Sequence, residues 1–570
     1  MTSQQKTQTG PQPAAQVVDP GLMPQPQPHR TDVAARRVMI IGLDGATYDI
    51  LDPMVDAGRM PNFARLRAHG ASGTLYSTKP PITPAAWTTF MTGKNPGRHG
   101  IIDFERYDPR TGKLSFNSTY EIREPTIWKI LSDKGLKVGS INVPMTFPPK
   151  PVNGFLITGF ETPSTKADFT YPKELKDEIL RRWPDYSYRS EWRRKSFGGD
   201  KLFARNLDHV SSSFKQGYEL AVHCGERYGW DVMMVMYKLV DNLQHKAWKY
   251  LDPATAMRYP KRAEMAADCF RVLDEVIGML VDLAVANDAT VFVMSDHGHG
   301  SLDGKVQPNL LLRQAGFLKL TGGGAQTRTR TSRILGRLRG KTGHRFTANH
   351  QVTTDLAVDW SQTRACVMHA GIYGYVYINL KGRQTDGIVE PGDYAAVRDE
   401  IRELFLAARC RWPNGEETPA FPEVHTTEEL YGRERHADDD WFPDLLLVPA
   451  PGLSVVRKIR GNSLVRWVPL RRKEGTHRPE GIFLVNGPSV RAGHRQNSQI
   501  ADVTPTILAA LGLPVPDDMD GSVITEVFSP PLTPVYETPV EHHYDRTEQH
   551  VYSPQEEAAL TQRLADLGYL

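Results

Sequence analysis

Short apolar runs recur along the chain, and segments with apolar residues every three or four positions lie between several of them. VMIIGL (38–43) is apolar and β-branched and ends in Asp44-Gly45, the pattern of a parallel strand buried on both faces. Similar runs follow at KVGSINVP (137–144), GFLITGF (154–160), DVMMVMYKLV (231–240), ATVFVMS (289–295), DLLLVPA (444–450) and GIFLVNG (481–487). MPNFARLRAHG (60–70) has helical spacing and a terminal glycine, TIWKILSDKGLK (126–137) repeats that design, and 263–286 is the longest helical pattern. Strands alternating with helices predict an α/β fold around a mostly parallel central sheet flanked by helices.

The segment from about 301 to 475 reads as an insertion between two sheet strands, with its own strand-like run GIYGYVYINL (371–380) and a helical run at 394–409. The expected organisation is a disordered tail over 1–36, a catalytic core of 37–300 and 476–530, an inserted cap-like region over 301–475, and a C-terminal extension over 531–570. That extension should carry an amphipathic helix from about Pro554, packing Leu560, Leu564 and Leu567. The tail assignment rests on six Pro and seven Gln in the first 30 residues and on the lack of an apolar core like that of a signal peptide.

Composition narrows the class. Hydrophobic content of 40% and charged content of 24% are those of a globular protein, and a net charge of +3 gives no global drive toward nucleic acid. The four cysteines, Cys224, Cys269, Cys366 and Cys410, form no CxxC pair, which argues against a disulfide framework and a thiolate zinc site. No run approaches the length of a transmembrane helix, so a cytoplasmic location is the default expectation. Residues 304–354 lack Asp and Glu, and 327–345 are dense in Arg, including Arg328, Arg330 and Arg333; a solvated loop or an electropositive rim for an anionic substrate both fit.

The candidate chemistry sits at strand ends, where ligands bind in open α/β sheets. VFVMSDHGHG (291–300) runs from an apolar strand straight into a carboxylate, two imidazoles and two glycines. A turn needs the glycines and can use the aspartate, but it has no need of imidazoles. Asp44, Asp241 and Asp296 each follow an apolar run; singly each is an ordinary turn former, but two of the three have a histidine close by. Asp241 and His245 are four apart, on one face of a helix if one starts there, and Asp296 and His297 are adjacent. His477 lies in a Gly/Pro-rich turn before GIFLVNG. Such a set suits zinc or manganese. Thr83-Pro84 opens a helical pattern; Thr83 can serve as an N-cap, and a hydroxyl at a helix N-terminus also faces donors that favour anions.

GLDG (42–45), TPAAWTTFMTGKNPGRHGI (83–101), DNLQH (241–245), SDHGHG (295–300) and GTHRPEGIFLVNGP (475–488) stand in an order that resembles the alkaline phosphatase superfamily. Within it, the likeness is to the type I phosphodiesterase/nucleotide pyrophosphatase group and its bacterial relatives described as phosphohydrolases or phosphomutases, over roughly 37–525. The resemblance implies one divalent metal held by Asp44, Asp296, His297 and the Thr83 oxygen, and a second held by Asp241, His245 and His477, most readily Zn2+ with Mn2+ as the alternative. It implies Thr83 as nucleophile, in-line displacement through a phospho-threonine, and a small phosphorylated substrate such as a nucleotide or phosphodiester. Where the pyrophosphatase pattern places a phosphate-binding Asn after HGI, this chain has Phe104, leaving Asn117, Arg123 or the Arg-rich insertion as candidate replacements. The sulfatase nucleophile motif is absent from Thr83-Pro84-Ala85-Ala86-Trp87. The expected function is therefore a metal-dependent phosphodiesterase or phosphatase, with a phosphomutase and a non-catalytic binding protein as the competing readings.

Overall fold

A computed structural model describes residues 37–186, 199–321, 356–432, 439–539 and 551–567. The expected tail (1–36), the Arg-rich stretch with Arg328, Arg330 and Arg333, and the side chain of Leu567 lie outside the described residues.

The chain adopts the expected α/β fold. Its central sheet has nine strands in the spatial order Ser498–Gln499, Ala71–Tyr76, Glu480–Asn486, Ala289–Met294, Arg37–Leu43, Val232–Tyr237, Val138–Val143, Gly154–Thr158 and Thr170–Tyr171. The five strands from Ala289–Met294 to Gly154–Thr158 run parallel, and antiparallel pairs occur toward both edges. The middle strand shows why the sequence reads as an unbroken apolar run. Met39, Ile41 and Leu43 enter one hydrophobic cluster, with the long helices Asp200–Tyr228 and Pro260–Ala286. Val38 and Ile40 enter another on the opposite face, with the helices Thr83–Thr92 and Val503–Ala510. With both faces covered, alternation disappears. Gly42 admits the covering helix: a Cβ there would stand 2.8 Å from Met234 Cε and 3.1 Å from the Trp87 ring.

Three expectations shift in detail. The strand read at 231–240 ends at Tyr237, and Asp241 sits in the first turn of the helix Leu239–Leu251. GIFLVNG pairs antiparallel with its neighbours in the central sheet. DLLLVPA instead joins GIYGYVYINL, read as a strand of 301–475 itself, in a separate four-stranded sheet of Ala365–Ala370, Gly374–Ile378, Leu445–Val448 and Glu423–Thr426, which has its own apolar cluster around Val376, Phe405 and Leu446. No helix among the described residues is long and apolar enough to cross a membrane.

The C-terminal helix Pro554–Leu567 packs back on the core. Leu564 joins Ile82, Ala85, Phe104 and Phe160, and Leu560 joins Phe147 and Tyr552. The Arg563 guanidinium donates to the carbonyls of Phe160, Thr162 and Pro163, closing the loop that carries Glu161. Neither carboxyl oxygen of Glu161 has a well-formed hydrogen bond. Burial raises its pKa from 4.5 to about 7, and nearby amides, Lys238 and Arg563 offset this only in part. The folded-state value lies above the unfolded one, so this group's contribution to stability is fully present below pH 4.5 and is lost as pH rises through about 7. Glu161→Gln should therefore match the wild type at the acid end and exceed it above neutrality by about 3 kcal/mol. Urea unfolding across this range checks it; a pH-independent difference would mean that Glu161 does not titrate in the fold.

Candidate metal and nucleophile site

Register brings the acids together. Gly42 pairs with Met294 and Leu43 with Tyr237, so the carboxyl ends of three neighbouring strands lie side by side. Asp44 follows the first, Asp296 the second, and Asp241 projects from the helix that the third leads into. Two buried groups of donor atoms result: Asp44, Asp296 and His297 in one, and Asp241, His245, His299 and His477 in the other, with the atoms of each group within 4.8 Å of one another. In the second group three imidazole Nε2 atoms converge on a single oxygen. Asp241 Oδ1 is 3.2 Å from His245, 3.3 Å from His299 and 3.3 Å from His477. In the first, His297 Nε2 is 3.4 Å from Asp296 Oδ2 and 3.7 Å from Asp44 Oδ1.

The backbone fixes which nitrogen faces inward. His245 Nδ1 donates to Gly475 O at 2.9 Å, His299 Nδ1 to Gly45 O at 2.9 Å, His477 Nδ1 to Pro81 O at 2.9 Å and His297 Nδ1 to Gly298 O at 3.0 Å. A carbonyl can only accept, so each Nδ1 carries the proton and each Nε2 presents a lone pair to the centre, the arrangement that orients metal-binding histidines. Burial and neighbouring imidazoles hold His297 and His299 well below the ordinary histidine pKa, and burial brings His477 down to about 4. All three are neutral at physiological pH.

The carboxylates show the complementary strain. Burial raises Asp44 to about 7 despite the pull of Lys238 and the Trp87 indole, which donates to its Oδ2 at 3.1 Å. Burial and the Asp44 charge push Asp296 well above its usual range. Asp241 goes the other way: burial would raise it, but its carboxyl is held well below the usual range, with the Lys238 ammonium the largest opposing influence. Three acids sharing one dry pocket lack enough positive charge, and Asp296 Oδ2, His297 Nε2 and His299 Nε2 have no hydrogen-bond partner. A divalent cation in each group would satisfy both conditions.

The glycines of SDHGHG serve this packing. The strand Gly298–Ser301 pairs antiparallel with Gly475–Arg478, setting His299 opposite His477. A Cβ at 298 would lie 1.9 Å from Glu480 O, and one at 300 would lie 1.8 Å from Arg478 Nε. Gly45 adopts φ +65°, and a Cβ there would stand 2.6 Å from the His299 ring.

Thr83 is fully buried as the first residue of its helix, and the cap is Ile82, so the N-cap role considered for Thr83 does not apply. Its surroundings are tied to both donor groups. Pro81 accepts from His477, and Trp87, one turn along the helix, donates to Asp44. Every acid and histidine read from the sequence is thus in one of the two groups, and Thr83 lies in the segment between their anchors. Two residues were missed. His299 is the second imidazole of the glycine-flanked pair, and its sequence signal was in plain view. Lys238, at the start of the Asp241 helix, was hidden inside an apolar run. Asn117 and Arg123 serve loop architecture: Asn117 Nδ2 donates to Asp103 O at 2.7 Å, and Arg123 pairs with Asp439 at 2.7 Å.

Comparison with known proteins gives a consistent picture. The family described as type I phosphodiesterase / nucleotide pyrophosphatase matches residues 38–480, well over half of the chain. No curated protein matches the sequence. Among solved structures, phosphonoacetate hydrolase from Sinorhizobium meliloti 1021 in complex with phosphonoformate aligns with 84% of this chain and 96% of its own, at 17% identity and a TM-score of 0.52, a likeness of fold. Murine ectonucleotide pyrophosphatase/phosphodiesterase 5, in an inactive form with AMP, aligns with 86% of this chain and all of its own, at 13% identity and a TM-score of 0.49.

The donor geometry makes a direct prediction. Zinc added to chelator-treated protein should raise its Tm, with a stabilisation of about 3 kcal/mol when free metal is about 100-fold above Kd. Asp241→Ala and His299→Ala should each shrink that rise. An unchanged wild-type Tm, with no metal found by atomic emission, would reject cation binding at these groups.

Proposed function

Because this chain belongs to the type I phosphodiesterase/nucleotide pyrophosphatase family, a family of metal-dependent phosphoric-ester hydrolases, we propose that it hydrolyses a small phosphorylated substrate with Thr83 as nucleophile and a two-metal site. The observation that carries this reading is the pair of adjacent buried donor groups with the Thr83 segment tethered to both. Asp44, Asp296 and His297, with the Thr83 oxygen, would hold one metal; Asp241, His245 and His477 would hold the other. The imidazole and carboxylate donors favour Zn2+, with Mn2+ as the alternative. We take 37–300 and 476–530 as the catalytic core, 301–475 as a cap-like insertion and 531–570 as an extension.

When bound, the cations supply charge that stabilises the transferring phosphoryl group and lowers the pKa of the nucleophile's hydroxyl. The protein's own contribution is placement. The helix beginning at Thr83 aims backbone N–H groups toward incoming phosphoryl oxygens. The Thr83 Oγ1–phosphorus bond forms as the leaving alcohol departs in line, giving a phospho-threonine, and water then breaks that bond and restores the hydroxyl. The carbonyl partners fix the tautomers of His245, His297 and His477, so that each Nε2 stays turned to the centre as a donor to a cation.

Metal-reconstituted protein should release p-nitrophenol from p-nitrophenyl phosphate, bis-p-nitrophenyl phosphate or both. Thr83→Ala should reduce turnover by at least about 10³-fold while largely retaining bound metal. Wild-type-like turnover in that variant would remove Thr83 from the role.

A further inference from the structure

We propose that Lys238 supplies a cation to the phosphoryl subsite and thereby selects dianionic phosphoryl groups, those of phosphate monoesters and phosphonates, over the monoanionic group of a diester; the inference rests on the two-metal reading above.

Lys238 caps the N-terminus of the Leu239–Leu251 helix, and its side chain is only 10% exposed. Its ammonium stands between the two donor groups, 3.1 Å from Asp44 Oδ1 in one and 2.6 Å from Asp241 Oδ2 in the other. A phosphoryl group clamped by both groups would occupy the same neighbourhood. Asp241 divides its two oxygens: Oδ1 faces the three imidazoles, and Oδ2 receives the ammonium. A cation held among the imidazoles therefore leaves the Lys238 contact to Asp241 in place, so the ammonium need not leave the site when it is loaded.

An aromatic ring flanks the Lys238 ammonium. Its Nζ lies 5.3 Å from the centre of the Phe160 ring. Phe160 meets Phe104 edge to face at 5.4 Å, and Phe104 packs with Ile82 and Ala85 on either side of Thr83. This wall offers phosphoryl oxygens no side-chain hydrogen bond and keeps the local dielectric low, which strengthens the one cation set against it.

Charge balance then distinguishes the substrates. With a divalent cation in each group and the ligating carboxylates ionised, the two cations and the Lys238 ammonium would outweigh Asp44, Asp241 and Asp296 by two positive charges. Without the ammonium, one remains. The first case complements a dianion and the second a monoanion.

The test compares metal-loaded wild type, Lys238→Met and Lys238→Arg on p-nitrophenyl phosphate and bis-p-nitrophenyl phosphate, with metal content measured for each. Inorganic phosphate binding to metal-loaded Thr83→Ala, with and without Lys238→Met, is measured by calorimetry above the second pKa of phosphate. The wild type should prefer the monoester. Lys238→Met should lose on the order of 10- to 100-fold in kcat/KM on the monoester, and less than about threefold on the diester, with phosphate binding weakened by a similar 10- to 100-fold factor and metal retained. Lys238→Arg should recover part of the loss. A wild-type preference for the diester, equal losses on both esters, unchanged phosphate binding, or loss of metal in Lys238→Met would each overturn the inference, the last two by reducing Lys238 to a structural partner of Asp241. A wild type that binds no metal would overturn the two-metal reading and this inference with it; a metal-replete wild type without monoester preference overturns this inference alone.

Discussion

The structure turns on one oxygen. Asp241 Oδ1, fully buried, is the point on which His245, His299 and His477 converge, and those imidazoles come from a helix and two paired strands far apart in sequence. A buried carboxylate is tolerable only when its charge is met, and three imidazoles that spend their protons on carbonyls cannot meet it themselves. Lys238 meets that charge from the Oδ2 side, so Oδ1 and the three Nε2 atoms face one another at the point where a cation would sit. Gly45, Gly298 and Gly475 let this packing close, because a Cβ at any of them would press on the His299 ring or on neighbouring backbone.

Residues between 365 and 441 are fastened to the loops around the Thr83 helix. Lys79, just before the Thr83 helix, pairs with Glu423 at 2.5 Å, and its carbonyl accepts from the Tyr431 hydroxyl at 3.0 Å. Asp103 accepts from Tyr375 at 2.9 Å and lies 3.1 Å from His369, whose pKa rises because this carboxylate overcomes the effect of burial. Arg123 pairs with Asp439 and faces the Trp441 ring. The loops on both sides of the Thr83 helix are therefore held by residues of 365–441. Anchoring from both sides fixes where the Thr83 segment stands relative to the two donor groups.

The sheet was legible because its strands are covered on both faces, which leaves continuous apolar runs, and because acids and histidines interrupt those runs where the strands end. Parallel register did the rest, setting Asp44 beside Asp296. The helix Asp200–Tyr228 escaped notice for the opposite reason. Its buried positions Phe203, Leu207, Val210, Phe214, Gly217, Ala221 and Cys224 follow helical spacing, but three serines and two glycines weaken the local propensity. Gly217 is needed there: a Cβ would stand 2.7 Å from the Tyr237 ring. His299 stood in view as the second imidazole of SDHGHG, but the group it joins is set by pairing opposite His477, 178 residues away. Lys238 was absorbed into a strand read through 240 that ends at Tyr237.

That three-residue difference matters to the chemistry. Were the strand to continue through 240, Lys238 and Asp241 would alternate across its faces and could not meet. Because the helix begins at Leu239, Lys238 and Asp241 are three apart across the first turn, and Asp241 and His245 are four apart on the same face. One helical start thus delivers an ammonium to one oxygen of a carboxylate and an imidazole to the other. The division of Asp241 between them lets a metal-loaded centre retain a nearby protein cation, and that retained charge sets which phosphoryl group the pocket can neutralise.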